Sequence, residues 1–171
     1  MRKIISTLLV AFMLTGTGLA QKFAFVDTEY ILQNIPSYNA AQEELNKMSE
    51  QWEAEIAGHY EEIEKMYKTY QSERVLLTEE MRTKREEEII SKEREVKDLQ
   101  HQYFGPEGDL FKKREELVKP IQDALYKAVK EMSAEGGYAV IFDSASGASI
   151  LYSNPRYDLS DEVLKKLGYK N

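Results

Sequence analysis

Residues 45–70 read LNKMSEQWEAEIAGHYEEIEKMYKTY. Leu45, Met48, Trp52, Ile56, His59, Ile63, Met66 and Tyr70 follow one another at steps of three and four, and only His59 among them is polar. After a gap the rhythm returns at Arg85, Ile89, Lys92, Val96, Leu99 and Tyr103. Such steps keep side chains on one narrow helical seam, the pattern of a coiled coil. The surrounding stretch, from about Ser37 to Phe104, has no proline and a single glycine, Gly58. Its other faces carry glutamates four residues ahead of lysines: Glu43–Lys47, Glu61–Lys65, Glu64–Lys68, Glu80–Lys84, Glu88–Lys92 and Glu93–Lys97. Each pair adds about 0.3 kcal/mol to a solvated helix. So much solvated face predicts an arm that projects into water.

The arm is expected to fold back on itself. The seam loses register at Gln71-Ser72-Glu73-Arg74-Val75-Leu76-Leu77, and Thr78 with Glu79 and Glu80 then reads as a fresh N-cap with acids in the first turn. One unbroken helix with a stutter is the alternative. A return limb starting at Thr78 needs about forty residues to match the outward one, which brings it to Leu117. Pro120 then falls where the arm joins the rest of the chain, and a kink is expected there.

Short elements flank the arm. Lys22-Phe23-Ala24-Phe25-Val26-Asp27 reads as a strand with Phe23 and Phe25 on one face. Thr28 to Gln33 reads as a brief helix capped by Asp27 or Thr28 and ended before Pro36, with Ser37 as the cap of the arm. Gly105-Pro106-Glu107-Gly108 breaks the return limb, and Asp109 is placed to cap a helix over Leu110–Ala134, with Leu117, Ile121, Leu125, Val129 and Met132 on one side. Gly136 and Gly137 stop that helix. Tyr138–Asp143 reads as a strand, Ser144–Ala148 as a turn and Ser149–Ser153 as the second strand of a hairpin. Asp158 or Ser160 caps a last helix, Asp161–Leu167, closed by Gly168.

Two or three short strands rarely hold together alone. Several chains pooling their strands into a shared barrel or sheet would bury Phe23, Phe25, Val140, Phe142, Ile150 and Tyr152, so a homo-oligomer is expected. The fold class that follows is mainly α with a small β body and a long antiparallel helical hairpin. The expected division is a leader at 1–20, a β-containing oligomerisation body at 21–36 and 118–171, and the arm at 37–117.

The leader is read from Arg2 and Lys3, an apolar core from Ile4 to Leu14, and the small-residue site Gly18-Leu19-Ala20. That is a cleavable secretory signal peptide, too short for a membrane span, with an uncleaved anchor as the alternative. A mature start near Gln21 places the protein in the periplasm or outside the cell. The chain has no cysteine, which excludes a disulfide framework, a thiolate metal site, a cysteine nucleophile and a lipid attached at cysteine. Losing Arg2 and Lys3 takes the formal charge from -7 to -9, with 21 basic against 30 acidic residues. That balance argues against nucleic acid and anionic membrane surfaces as partners.

Nothing in the chain specifies catalysis. His59 and His101 lie in helical stretches with no third ligand spaced with either. Glu61-Glu62 and Glu86-Glu87-Glu88 are charge runs on a wet helix rather than a tuned acid/base pair. Gly105–Gly108 lacks the lysine and flanking strand of a phosphate loop, and Ser144 and Ser146 have no base partner. No enzyme, cofactor or metal is expected.

The two ends carry a resemblance. Val118-Lys119-Pro120-Ile121-Gln122-Asp123-Ala124 leads through Tyr138-Ala139-Val140-Ile141-Phe142-Asp143 to Asp158-Leu159-Ser160-Asp161-Glu162-Val163-Leu164-Lys165-Lys166-Leu167. This resembles the Skp (OmpH-like) family of periplasmic chaperones, in its helix, its core strand ending in aspartate and its closing D-[LI]-[ST]-x-x-V-L helix. Phe25-Val26-Asp27 resembles the family's first strand. The resemblance implies a homotrimer: a shared β-barrel body from which three helical hairpins hang around a cavity. It further implies an ATP-independent holdase that keeps unfolded outer-membrane proteins soluble on their way to outer-membrane assembly. The best-known members are strongly basic. Here residues 41–104 hold 17 acids against 10 bases, a departure from the family, so no lipopolysaccharide site is carried over.

Within that frame Met48, Trp52, Tyr60, Met66, Tyr67, Tyr70 and Tyr103 are the large, adaptable side chains of the arm, suited to unspecific contact. Met48, Trp52, Met66 and Tyr70 are assigned to the seam. Tyr60 and Tyr67, just off it, are the candidate client contacts. A non-catalytic envelope spacer or adaptor, binding one folded partner through its arms, is the alternative function.

Overall fold

The computed structural model describes residues 21–145, 150 and 152–169. The leader and the middle of the predicted hairpin, 146–149 with 151, lie outside the described residues, and Ile150, Tyr152 and Ser153 beside it are in no strand. Strand β1, Lys22–Val26, lies parallel to β2, Tyr138–Asp143. Their pairing sets Phe23 against Val140, Ala24 against Ile141, Phe25 against Phe142 and Val26 against Asp143. A parallel pair needs a long crossover, and here the crossover is everything between the strands: helices α1 (Thr28–Gln33), α2 (Pro36–Glu73), α3 (Glu79–Phe104) and α4 (Asp109–Gly136). A 3-10 turn at Pro155–Tyr157 and helix α5, Ser160–Lys166, follow β2.

Alternation along the strands decides what packs where. Ala24 and Val26 point inward, at 0% and 3% exposure. Under them Ile31 and Ile35 from the start of the chain, Leu125 and Ala128 from α4, and Val163 and Leu164 from α5 form one buried cluster. Ile121, Val129 and Met132 pack on its margin, on the face of α4 expected from their spacing. Gly137 ends α4 with φ of 66°, a left-handed position that glycine alone takes without cost. Lys166 ties α5 to α4 through Glu135 (2.8 Å) and Glu131 (3.4 Å).

A polar tie closes the ends of both strands. Asp27 caps α1, its Oδ1 accepting from the Tyr30 amide at 2.9 Å. Asp143 accepts from the Thr28 amide (3.2 Å), the Thr28 hydroxyl (2.8 Å) and the Ala145 amide (3.0 Å). The Asp27 amide donates to Ser160 Oγ at 2.8 Å, and that hydroxyl donates to Asp158 Oδ1 at 2.6 Å. The aspartates ending both strands and the Asp158-Leu159-Ser160 stretch are therefore one network, joining segments more than a hundred residues apart.

Helices α2 and α3 form the expected antiparallel hairpin. Thr78 caps α3, its hydroxyl accepting from the Met81 amide at 3.3 Å, and the turn lies at 74–78. At 38 residues α2 is about 57 Å long. Three starts differ from expectation. Ser37 does not cap α2: Pro36 is its first residue, where a missing amide costs nothing, and Ile35 precedes it without a side-chain cap. Asp109 is the first residue of α4 and Gly108 its cap; glycine is required there, since a Cβ would lie 2.7 Å from the Gln102 carbonyl oxygen and 2.8 Å from that of Tyr103. Ser160 begins α5 after Leu159, and Asp158 receives the Ser160 amide at 2.9 Å from just outside the helix. Helix α4 runs through Pro120 as one element, with Pro120 on its exposed face.

Candidate functional site

Two surfaces of the chain are candidates for function: the outer face of the sheet and the flanks of the helical hairpin. On the sheet, the alternation that buries Ala24 and Val26 turns Phe23, Phe25, Val140 and Phe142 the other way. Phe23 is 46% exposed, Val140 41% and Phe142 42%, while Phe25 is half-buried. The rings of Phe23 and Phe142 stack at 6.5 Å, and those of Phe25 and Phe142 at 5.7 Å. Contiguous exposed apolar patches of this kind are where proteins bind partners or ligands. Tyr152, grouped with it from the sequence, is 78% exposed, and Ile150 is half-buried. Lys22 borders the patch, with its ammonium 5.9 Å from the centre of the Tyr138 ring and 3.0 Å from the Gly136 carbonyl oxygen.

The hairpin holds its own core, separate from the one under the sheet. Ile56 and Ile63 of α2 meet Ile89 and Val96 of α3, with Met66, Tyr70, Leu99, Tyr103 and Phe104 packed around them. Trp52 stacks on Tyr103 at 4.5 Å, the planes 8° apart, with Phe104 edge-on to both. Leu45 sits elsewhere: it packs with Ala41 against Val118 of α4. The reason is geometric, since α3 ends at Phe104 and the neighbour of α2 at the height of Leu45 is α4. Met48 is half-buried between these clusters. Arg85 and Lys92 fall at seam steps yet stay exposed, paired with Glu88 (3.2 Å) and Glu95 (2.7 Å). Of the glutamate–lysine pairs expected four apart, Glu64–Lys68 closes, and Lys68 holds the Glu64 carboxyl below the usual carboxylate range. His59 is half-buried, its Nδ1 3.6 Å from Glu62.

Three tyrosines bridge the hairpin to carboxylates. The Tyr67 hydroxyl donates to Glu93 Oε1 at 3.0 Å, Tyr103 donates to Glu55 Oε2 at 3.0 Å, and Tyr70 donates to Glu86. Each phenol is pushed above its ordinary range. For Tyr67 and Tyr70 the hydrogen bond is the main cause; for Tyr103 it is desolvation, then the bond to Glu55. Tyr60 is 44% exposed and Tyr67 40%. Sequence reasoning passed over Ile90, 51% exposed, because it follows the seam residue Ile89 and breaks no period. It also gave no weight to the turn, where Val75 and Leu76 are the most exposed large apolar side chains described, at 86% and 85%.

The family model described as outer membrane protein (OmpH-like) matches residues 22–167, from the first residue of β1 to just past the end of α5. The chain belongs to the OmpH-like family. A chaperone protein Skp of Yersinia enterocolitica is 25% identical over 150 residues, covering 86% of this chain and 87% of that one. An uncharacterized protein of Aquifex aeolicus is 28% identical over 155 residues, covering 91% of each. A solved OmpH-like outer membrane chaperone from Caulobacter crescentus matches with a TM-score of 0.68 at 12% identity, over 90% of this chain and 87% of that one. At that identity the likeness is one of fold: long helices with a short two-stranded sheet. Among the described residues, no helix of this OmpH-like chain is long and apolar enough to cross a membrane.

Proposed function

We propose that this OmpH-like protein is an ATP-independent, non-catalytic holdase of the periplasm. In this reading three copies pool their strands into one β body, residues 21–36 and 118–171, and their hairpin arms, 37–117, surround an unfolded outer-membrane protein. The carrying observation is the partly exposed apolar face of the sheet, Phe23, Phe25, Val140 and Phe142, on a chain whose arm has its own core. Parallel strands such as these are found with both faces covered, and copies of the same face are the natural cover for this one. Membership of the OmpH-like family and the chaperone relatives support the same conclusion. Tyr60 and Tyr67 are the client-facing side chains in this reading, and the seam residues are structural.

A decisive test dilutes a denatured outer-membrane barrel into excess mature protein and follows light scattering. Suppression near one trimer per client is expected, and Tyr60→Ala with Tyr67→Ala weakens it while leaving the oligomer intact. The second reading, a spacer or adaptor that grips one folded partner, is favoured by the exposed Val75 and Leu76 at the arm's tip. Under it, scattering is unchanged at tenfold excess.

A further inference from the structure

We infer that one flank of the hairpin, carrying Tyr60 and Tyr67 on α2 and Glu86, Ile90 and Glu93 on α3, binds segments in which basic and apolar residues are interleaved. The inference rests on the holdase reading and names the client chemistry that reading leaves open. Tyr67 reaches Glu93 and Tyr70 reaches Glu86, so the two glutamates, seven residues apart on α3, line the same side of the hairpin as those tyrosines. Ile90 lies four residues after Glu86 and three before Glu93, which places it between them on that side. Tyr60 is two helical turns from Tyr67 on α2. The strip thus alternates carboxylate, isoleucine and carboxylate beside exposed phenol rings.

Each part selects for a cation flanked by apolar groups. A ring face next to a carboxylate takes a lysine or arginine side chain by cation–π attraction and a charge-assisted hydrogen bond together. Ile90 and the Tyr60 ring take apolar neighbours. Among the described residues neither Glu86 nor Glu93 closes an ion pair, whereas Arg82, at the tip end, is held by Glu79 and the Arg74 carbonyl. The 17-to-10 excess of acids over 41–104 adds a field of the same sign.

The test uses the mature full chain and two fluorescent peptides of identical apolar positions, one with lysine and one with glutamate between them. The lysine peptide is expected to bind about tenfold tighter at low salt, with the gap closing at high salt as surface charge is screened. Glu86→Gln with Glu93→Gln lowers lysine-peptide affinity by about fivefold, the scale of two exposed ion pairs. Glu87→Gln, about 100° round the helix from Glu86, leaves it unchanged. Equal, salt-insensitive binding of both peptides, with scattering of the denatured barrel still suppressed, overturns the inference and leaves the holdase standing. Binding of neither peptide, with no suppression of scattering, overturns both.

Discussion

Replacing Phe142 by serine tests the oligomeric claim at the sheet's outer face, away from the cluster beneath it. Its ring stacks on Phe23 and Phe25 on the outer face of the sheet and is 42% exposed in one copy. A phenylalanine carries about 200 Å² of surface, so assembly would remove about 80 Å² per copy from water. At ~25 cal/mol per Å² that is about 2 kcal/mol per copy, or about 6 kcal/mol per trimer. Because trimer formation depends on the square of free-subunit concentration, the midpoint of dissociation should rise by about a hundredfold. Ala24, Val26 and the cluster beneath them are untouched, so the far-ultraviolet signal of the dissociated chain should match the wild type. Sedimentation velocity over a dilution series reads the midpoint. An unchanged midpoint with a folded variant would show that this face covers nothing and that the burial argument is wrong.

Other outcomes follow from single contacts. Val96→Ala opens a cavity in the hairpin core, where Val96 is 2% exposed, and should cost about 1–3 kcal/mol. Hydrogen exchange should localise that loss to α2 and α3 and leave Ile31, Val163 and Leu164 as protected as before. Ser160→Ala removes the acceptor of the Asp27 amide and should lower stability by about 1–2 kcal/mol, read as a fall in Tm. The Tyr67, Tyr70 and Tyr103 phenols are raised in the folded chain, so their contribution is complete below the ordinary tyrosine range near pH 10. It is lost as pH rises through the folded values. Phenolate absorbance should therefore lag that of unfolded tyrosine, and Tyr67→Phe should remove part of the lag.

The periodic parts of the chain were legible because one force dominates there. Ile56, Ile63, Ile89 and Val96 recur at helical spacing and meet in one core. Thr78 and Asp27 cap helices by local chemistry that spacing alone reveals. Partners chosen by tertiary geometry were not legible. Leu45 carries the same period as Ile56, yet its neighbour is Val118, since only the position of the break at 105–108 decides which helix lies alongside. Ser37 lost its expected role because Pro36 opens the helix one residue earlier, with Ile35 at the cap, and Gly108 rather than Asp109 sits at the cap of α4, at a close backbone approach that admits no side chain. The tie among Asp27, Asp143, Asp158 and Ser160 joins distant segments by hydrogen bonds that no local pattern encodes. The aromatic face of the sheet was visible in the alternation of Phe23 and Phe25. The parallel sense of its pairing was not, since either direction would expose the same rings.

Native mass spectrometry of the chain from Gln21 onward, alone and with an unfolded outer-membrane barrel, puts the proposed enclosure on trial. Three copies alone, and three copies with one client in the mixture, are predicted. A single chain that stays single and carries no client would contradict the account.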